Sequence, residues 1–318
     1  MNIELSGTAG GTGWPAPGCG CASCSRLRAS GARFEPTRVL LDGVPLERYA
    51  RKDVPGGYDV EGPDGRRVLV AAGPGERPEP PDGAVYDAAL LDLVGSPDHL
   101  GLLRRTGAVT PRTDVRAVHM DHRIRSPREL ERRLGHWLRP PDGPHRTLIL
   151  GGARSGKSAE AEMRLLAHPD VTYLATSAPR DDDPEWTARV AAHRRRRPSW
   201  WRTIETTALA EALRPEEWGP GRAVLVDGIG TWLAAVIDEA GAWDDPASVR
   251  PRLDDLVAAW RAVPARVVAV SDEVGLSLVP ATPSGRAFAD LLGTLNQRLA
   301  AESEDVALVV AGRILEPA

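Results

Sequence analysis

Two patterns of apolar spacing divide the chain. Through residues 1–137, short apolar runs (Val39–Leu41, Val68–Ala72, Ala88–Leu93) alternate with clusters of Gly, Pro and Asp, the pattern of strands joined by turns. Gly73–Gly83 holds four prolines and predicts a loop. Ser126–Leu138 spaces its apolar residues helically, and Ser126-Pro127 suits a helix start with proline at its first position. The run Arg139-Pro140-Pro141-Asp142-Gly143-Pro144 can continue neither element and reads as a linker. Beyond it, continuous apolar strands alternate with helices. The strands are Thr147–Leu150, Val171–Ala175, Ala223–Val226, Arg266–Val270 and Val306–Val310. The helices run from Lys157 to about His168, from about Pro184 to Arg197, and over Trp232–Ala240, Val249–Val263 and Gly285–Glu304. Continuous apolar strands between helices predict an α/β domain whose parallel sheet is covered on both faces. The expected organisation is a smaller, β-rich α+β domain at 1–138, a linker at 139–145 and an α/β domain at 146–318.

Composition agrees with two domains, since 318 residues exceed the roughly 100–200 of one. A formal net charge of -4 offers no general attraction to nucleic acid or anionic lipid. No apolar run reaches the ~18 residues of a membrane span. Met1–Gly13 lacks the basic and apolar regions of a secretory signal, so a cytoplasmic location is expected. Among the 40 basic residues only Lys52 and Lys157 are lysines. A lysine kept against such a bias marks a place that arginine does not suit. The cysteines, Cys19, Cys21 and Cys24, lie too close together and in the wrong number for disulfides. Thiolate ligation of a structural Zn²⁺ suits them, with His119 or His122 as candidates for the fourth position; free thiols in a loop are the other reading.

Lys157 falls in the chain's most informative segment. Leu148-Ile149-Leu150 leads into Gly151-Gly152-Ala153-Arg154-Ser155-Gly156-Lys157-Ser158, a G-x-x-x-x-G-K-S loop between strand and helix. Its glycines let backbone N–H groups curl around phosphate oxygens, and the helix start adds partial positive charge. Lys157 is a mobile point charge for the β- and γ-phosphates, and Ser158 offers a hydroxyl to Mg²⁺. A guanidinium is too wide for that slot. Phosphoryl transfer also needs an acidic metal partner at the end of another buried strand, and Ala223-Val224-Leu225-Val226-Asp227 supplies Asp227. The plainer role for Asp227 is capping the helix that follows.

The second informative segment is His193 followed by Arg194, Arg195, Arg196 and Arg197. Such a run can be a solvated helix face. The acidic Asp181-Asp182-Asp183 just upstream argues against a nucleic-acid patch. Chemically, a histidine can attack phosphorus while guanidiniums hold the polyanion.

Taken in order, these motifs resemble those of the bifunctional adenosylcobinamide kinase/adenosylcobinamide-phosphate guanylyltransferase family. They are the phosphate loop, Tyr173-Leu174-Ala175-Thr176-Ser177, His193 with Arg197-Pro198, and Trp201-Arg202-Thr203-Ile204-Glu205. Val270-Ser271-Asp272-Glu273-Val274-Gly275 and Leu295-Asn296-Gln297-Arg298-Leu299-Ala300 continue the match, which covers about residues 146–314. The resemblance implies a RecA-like parallel sheet, a trimer and two reactions. In the first, ATP or GTP gives its γ-phosphoryl group to adenosylcobinamide with Mg²⁺. In the second, a histidine at the position of His193 takes GMP from GTP and passes it on, giving adenosylcobinamide-GDP in cobalamin biosynthesis. It also places Ala175, Thr176, Ser177, Arg194–Arg197, Glu205 and Asp227 at GTP-contacting positions. The chain departs from the pattern at Asp272 (usually Asn), Ser277 (commonly Gly), Gly228 (Cys) and Gly230 (Thr). A non-catalytic nucleotide-responsive module, or a P-loop kinase of another small alcohol, would need no counterpart of His193.

The first domain resembles metallo-β-lactamase-fold phosphodiesterases, which carry a Gly-Thr-Gly start and a C-x-C-x-x-C cluster, in its Gly7–Gly13 stretch and in Cys19, Cys21 and Cys24. Of the H-x-H-x-D-H metal motif that this implies, Asp98 and His99 remain, while Val94 and Ser96 replace the first two histidines. Too few ligands are left for a hydrolytic dinuclear site. The domain is expected to be a degenerate, non-catalytic relative, with Asp98-His99 opening a helix.

Overall fold

The apolar runs of the sequence are strands or the buried faces of helices in the computed structural model, which describes all residues except 74–76, 140–142, 177–190, 192–193, 215–217, 219–220 and 316–318. The chain divides into one unit of Met1–Pro140 with Leu166–Pro169, and a second of Pro141–Leu165 with Asp170–Ala318. Three residues of the linker segment, 140–142, and the expected charged helix up to residue 190 lie outside the described residues.

The first unit carries β1 (Ile3–Ser6), α1 (Ala22–Ser30), β2 (Arg38–Leu41), β3 (Val44–Pro45), β4 (Arg51–Val54), β5 (Gly57–Glu61), β6 (Arg67–Ala71), β7 (Ala88–Leu91), α2 (Asp98–Arg105), β8 (Asp114–Ala117) and α3 (Pro127–Leu138). Strands β1-β2-β3 form one sheet and β4-β5-β6-β7-β8 another. In the larger sheet β6, β7 and β8 run parallel and β4 and β5 antiparallel. Leu41, Val60, Val68, Val70, Leu90 and Val118 share one buried cluster. Helix α3 begins as expected. Ser126 accepts a hydrogen bond from the Glu129 N–H at 3.2 Å, and Pro127 sits where no N–H is needed.

The second unit carries β9 (His145–Gly151), α4 (Lys157–Leu165), β10 (Asp170–Ala175), β11 (Arg202–Glu205), α5 (Leu209–Ala212), β12 (Arg222–Asp227), α6 (Ile229–Glu239), α7 (Arg250–Ala262), β13 (Arg266–Asp272), α8 (Pro283–Ala301), β14 (Asp305–Val310) and β15 (Arg313–Leu315). Its seven-stranded sheet has the order β11-β10-β12-β13-β9-β14-β15. All pairs are parallel except β14 with β15. Period-two alternation gives each strand two apolar faces. Leu148, Leu174, Val224, Val226 and Ala269 pack with Trp232, Leu256, Trp260 and Leu295 from α6, α7 and α8. The alternate residues Ile149, Leu225, Val268 and Val270 are buried as well, with α4 packed on β9, β12 and β13. Helix α4 stops three residues short of the expected His168, because Pro169 disfavours helical backbone before it. The register aligns Ala175, Asp227 and Val270, and Asp272 with Gly151. The carboxyl ends of four strands therefore meet at one edge, where open α/β sheets bind ligands.

Candidate active site

The phosphate loop leaves β9 at that edge and ends where Lys157 opens α4. Gly156 has φ +100°, which a side chain at this position would oppose. The loop is braced from behind: the Gly312 N–H donates to Ser155 O at 2.8 Å, and the Glu273 N–H to Gly151 O at 3.2 Å. Gly152, Ala153 and Arg154 face solvent, and Ser155 is buried. The Lys157 ammonium donates to Gly152 O at 3.1 Å and lies 2.8 Å from Asp272 Oδ1. A cation held this way is poised to transfer to phosphate oxygens.

Asp227 ends β12 and does not cap the next helix, whose N-cap is Gly228. Its carboxylate accepts the Ser158 hydroxyl at 3.2 Å on Oδ1 and the Tyr173 hydroxyl at 2.6 Å on Oδ2. A hydroxyl beside a carboxylate oxygen is the donor set that suits Mg²⁺ with a nucleotide. Burial, reinforced by the Asp227 charge, pushes the Tyr173 phenol up, so it keeps its proton and donates.

The arginine run is not a uniform solvated face. Residues 194–196 are helical. Arg196 makes two hydrogen bonds to buried Glu162 of α4, at 2.7 and 3.2 Å. Arg197 lies 3.7 Å from the Tyr173 ring centroid and reaches the Thr203 hydroxyl at 3.4 Å. Arg194 pairs loosely with Glu205 at 3.6 Å, both half exposed, and Arg195 faces solvent. Ala175 is partly exposed at the sheet edge. Thr176 is fully buried; its hydroxyl donates to Gly228 O at 2.6 Å and accepts the Gly228 N–H at 3.0 Å, so its side chain clamps two strand ends together. Ser177 and His193 lie outside the described residues.

Residues 147–316 match the family model described as cobinamide kinase / cobinamide phosphate guanyltransferase. The chain belongs to this family. It is 40% identical over 174 residues to the bifunctional adenosylcobalamin biosynthesis protein CobU of Salmonella typhimurium, covering 52% of this chain and 95% of that protein. It is 42% identical over 170 residues to the bifunctional adenosylcobalamin biosynthesis protein CobP of Pseudomonas aeruginosa, covering 52% of this chain and 94% of that one. The matched segment lies within the second unit apart from Leu166–Pro169. Within this cobinamide kinase family segment, Tyr173, Glu162 and Asp272 are partners that the motifs alone did not assign. The available signal was a tyrosine in a buried strand, whose hydroxyl needs an acceptor.

In the first unit, outside the family segment, the ligand atoms of Cys19, Cys21, Cys24 and His122 lie within 4.8 Å of one another. The Cys19 sulfur is 3.9 Å from His122 Nδ1. The Cys24 backbone N–H holds the Cys21 thiol below its ordinary value, and burial pushes Cys24 up. His119, the other candidate, instead donates from Nδ1 to Ala72 O at 2.5 Å. Asp98 and His99 open α2 as expected. Nearby Asp92 is bound by Arg123, whose Nη2 lies 3.3 and 3.1 Å from its two carboxylate oxygens, and Arg123 also reaches Asp121 at 2.8 Å.

Proposed function

We propose that the second unit phosphorylates adenosylcobinamide with ATP or GTP and then transfers GMP from GTP through His193, giving adenosylcobinamide-GDP. The observation that carries this reading is the convergence of Lys157, Ser158 and Asp227 at the mouth of the phosphate loop, inside the family segment. In the kinase step the acceptor hydroxyl oxygen bonds to the γ-phosphorus as the β–γ bridging bond breaks, and the hydroxyl proton is lost. Lys157 and the loop N–H groups offset the charge on the phosphoryl oxygens. Ser158 and Asp227 would hold Mg²⁺, which neutralises the triphosphate. In the transfer step an imidazole nitrogen of His193 bonds to the α-phosphorus and pyrophosphate leaves. A phosphate oxygen of the phosphorylated cobinamide then takes the α-phosphorus, and the imidazole is regenerated. By the same family reading the protein is a cytoplasmic homotrimer; among the described residues no helix is long and apolar enough to cross a membrane.

The test is self-labelling with [α-³²P]GTP and Mg²⁺. The expected label is acid-labile and alkali-stable, as a phosphoramidate is, and absent from His193→Ala. Equal labelling of that variant removes the assignment of His193.

We also propose that Cys19, Cys21, Cys24 and His122 hold one structural Zn²⁺. Three thiolates and an imidazole make a closed tetrahedral set, which fits structural rather than catalytic zinc. Purified protein is expected to contain one zinc per chain, lost in Cys21→Ser; zinc-free wild type contradicts the site.

A further inference from the structure

We infer that Tyr173 is a positioning residue shared by both reactions, its hydroxyl aiming the metal-binding carboxylate and its ring seating the arginine run. The inference rests on the two-reaction reading above. Tyr173 sits in the middle of β10, beside β12, with the chain buried around it. Its hydroxyl donates to Asp227 Oδ2 at 2.6 Å, on the side of the carboxylate away from Ser158. A hydrogen bond on the outer oxygen of a ligating carboxylate fixes its rotation, so that Oδ1 stays beside the Ser158 hydroxyl. The ring carries the Arg197 guanidinium 3.7 Å from its centroid, a stacked cation–π contact. Arg197 closes the arginine run four residues after His193.

One rigid side chain therefore touches the metal carboxylate with its hydroxyl and the end of the guanylyl-transfer segment with its face. Neither contact alone requires tyrosine. Phenylalanine would keep the ring but release Asp227, and a small hydroxyl residue would lose the seat for Arg197. The neighbouring Arg196–Glu162 pair ties the same run to α4, so the segment is held at two adjacent points.

The experiment compares wild type, Tyr173→Phe and Tyr173→Leu by two readouts. The first is the Mg²⁺ dependence of binding of a fluorescent GTP analogue. The second is self-labelling with [α-³²P]GTP at saturating Mg²⁺. Loss of an outer-shell partner typically weakens metal affinity 10–100-fold, so Tyr173→Phe should shift the Mg²⁺ midpoint upward by about tenfold. Its labelling at saturating Mg²⁺ should return to near the wild-type level, because the ring remains. Tyr173→Leu should shift the midpoint similarly and also label several-fold more slowly at any Mg²⁺ concentration. A midpoint within twofold of wild type in Tyr173→Phe overturns the hydroxyl's role. Equal labelling by Tyr173→Leu and Tyr173→Phe overturns the ring's role. If wild type binds nucleotide but does not label, the two-reaction reading fails while the Mg²⁺ arm still decides the first half.

Discussion

Two aspartates, one in each unit, differ in the donors that reach them. Asp227 accepts hydrogen bonds from the hydroxyls of Ser158 and Tyr173. Hydroxyls can rotate, and one of them is itself a magnesium ligand in phosphate-loop sites. Asp92 has both oxygens engaged by the Arg123 guanidinium, which also binds Asp121. A guanidinium is a permanent cation that cannot release its charge. The first arrangement presents neutral hydroxyl donors to the carboxylate. The second is an ion pair. Carboxylates near a sheet edge do not by themselves make a metal centre; the donors that hold them decide.

The largest effect is expected from removing the phosphate-loop cation. Lys157→Ala should lower kinase turnover by about 10²–10³-fold, the scale for losing one charge-stabilising donor, measured as phosphate transfer from [γ-³²P]ATP to adenosylcobinamide. Retained turnover would mean that the cradle is not where phosphoryl transfer occurs. In the first unit, Arg123→Ala leaves mostly buried Asp92 without its cationic partner and should cost about 1–3 kcal/mol, less than a fully buried pair because Arg123 is partly exposed and the Gly95 N–H still donates to Asp92. Urea unfolding followed in the first unit reads this loss, and no loss would show that the pair is incidental.

A pH scan sharpens the same comparison. Burial holds the His99 imidazole below its ordinary value, so the unfolded chain binds a proton that the folded unit refuses. Stability of the first unit should therefore fall as pH drops below about 6.5, by at most about 1.4 kcal/mol per pH unit, and be flat above it. His99→Gln should remove that slope; an unchanged slope assigns it elsewhere. The smallest effect concerns Asp272, which holds Lys157 at 2.8 Å before any nucleotide arrives. A Cβ on residue 230 would lie 2.7 Å from Asp272 Oδ2, so Gly230 makes room for this carboxylate. Asp272→Asn should tighten GTP binding without Mg²⁺ by about threefold, a modest gain because the Asp272 carboxylate is half exposed. Weaker binding in that variant would show that Asp272 supports the nucleotide instead of competing for the lysine.

The central strands were legible because they are continuously apolar. Val224, Leu225 and Val226 can be buried on both faces only within a covered parallel sheet, and Asp227 stands out as the polar end of that run. The edge strands were not legible. Strand β11 is Arg202-Thr203-Ile204-Glu205, with one apolar residue, and it forms by pairing with β10 rather than by its own pattern. In the site, the phosphate loop, Lys157, Ser158 and Asp227 follow from motif chemistry. The contacts of Tyr173 and Asp272 do not, because they depend on sheet order. Strand β13 lies between β9 and β12, which brings Asp272 to Lys157 although 115 positions separate them in the chain. In the first unit, nothing in the local sequence announced that Arg123 would pair with Asp92, 31 positions away.

The most direct test of the account is one incubation of the wild-type protein with Mg²⁺, adenosylcobinamide and GTP labelled at either phosphorus, with the corrinoid separated by chromatography. The account expects γ-label to enter the corrinoid first as a monophosphate, and α-label to follow in a slower species that carries guanosine. A corrinoid that takes up neither label, from protein that still binds GTP, would contradict it.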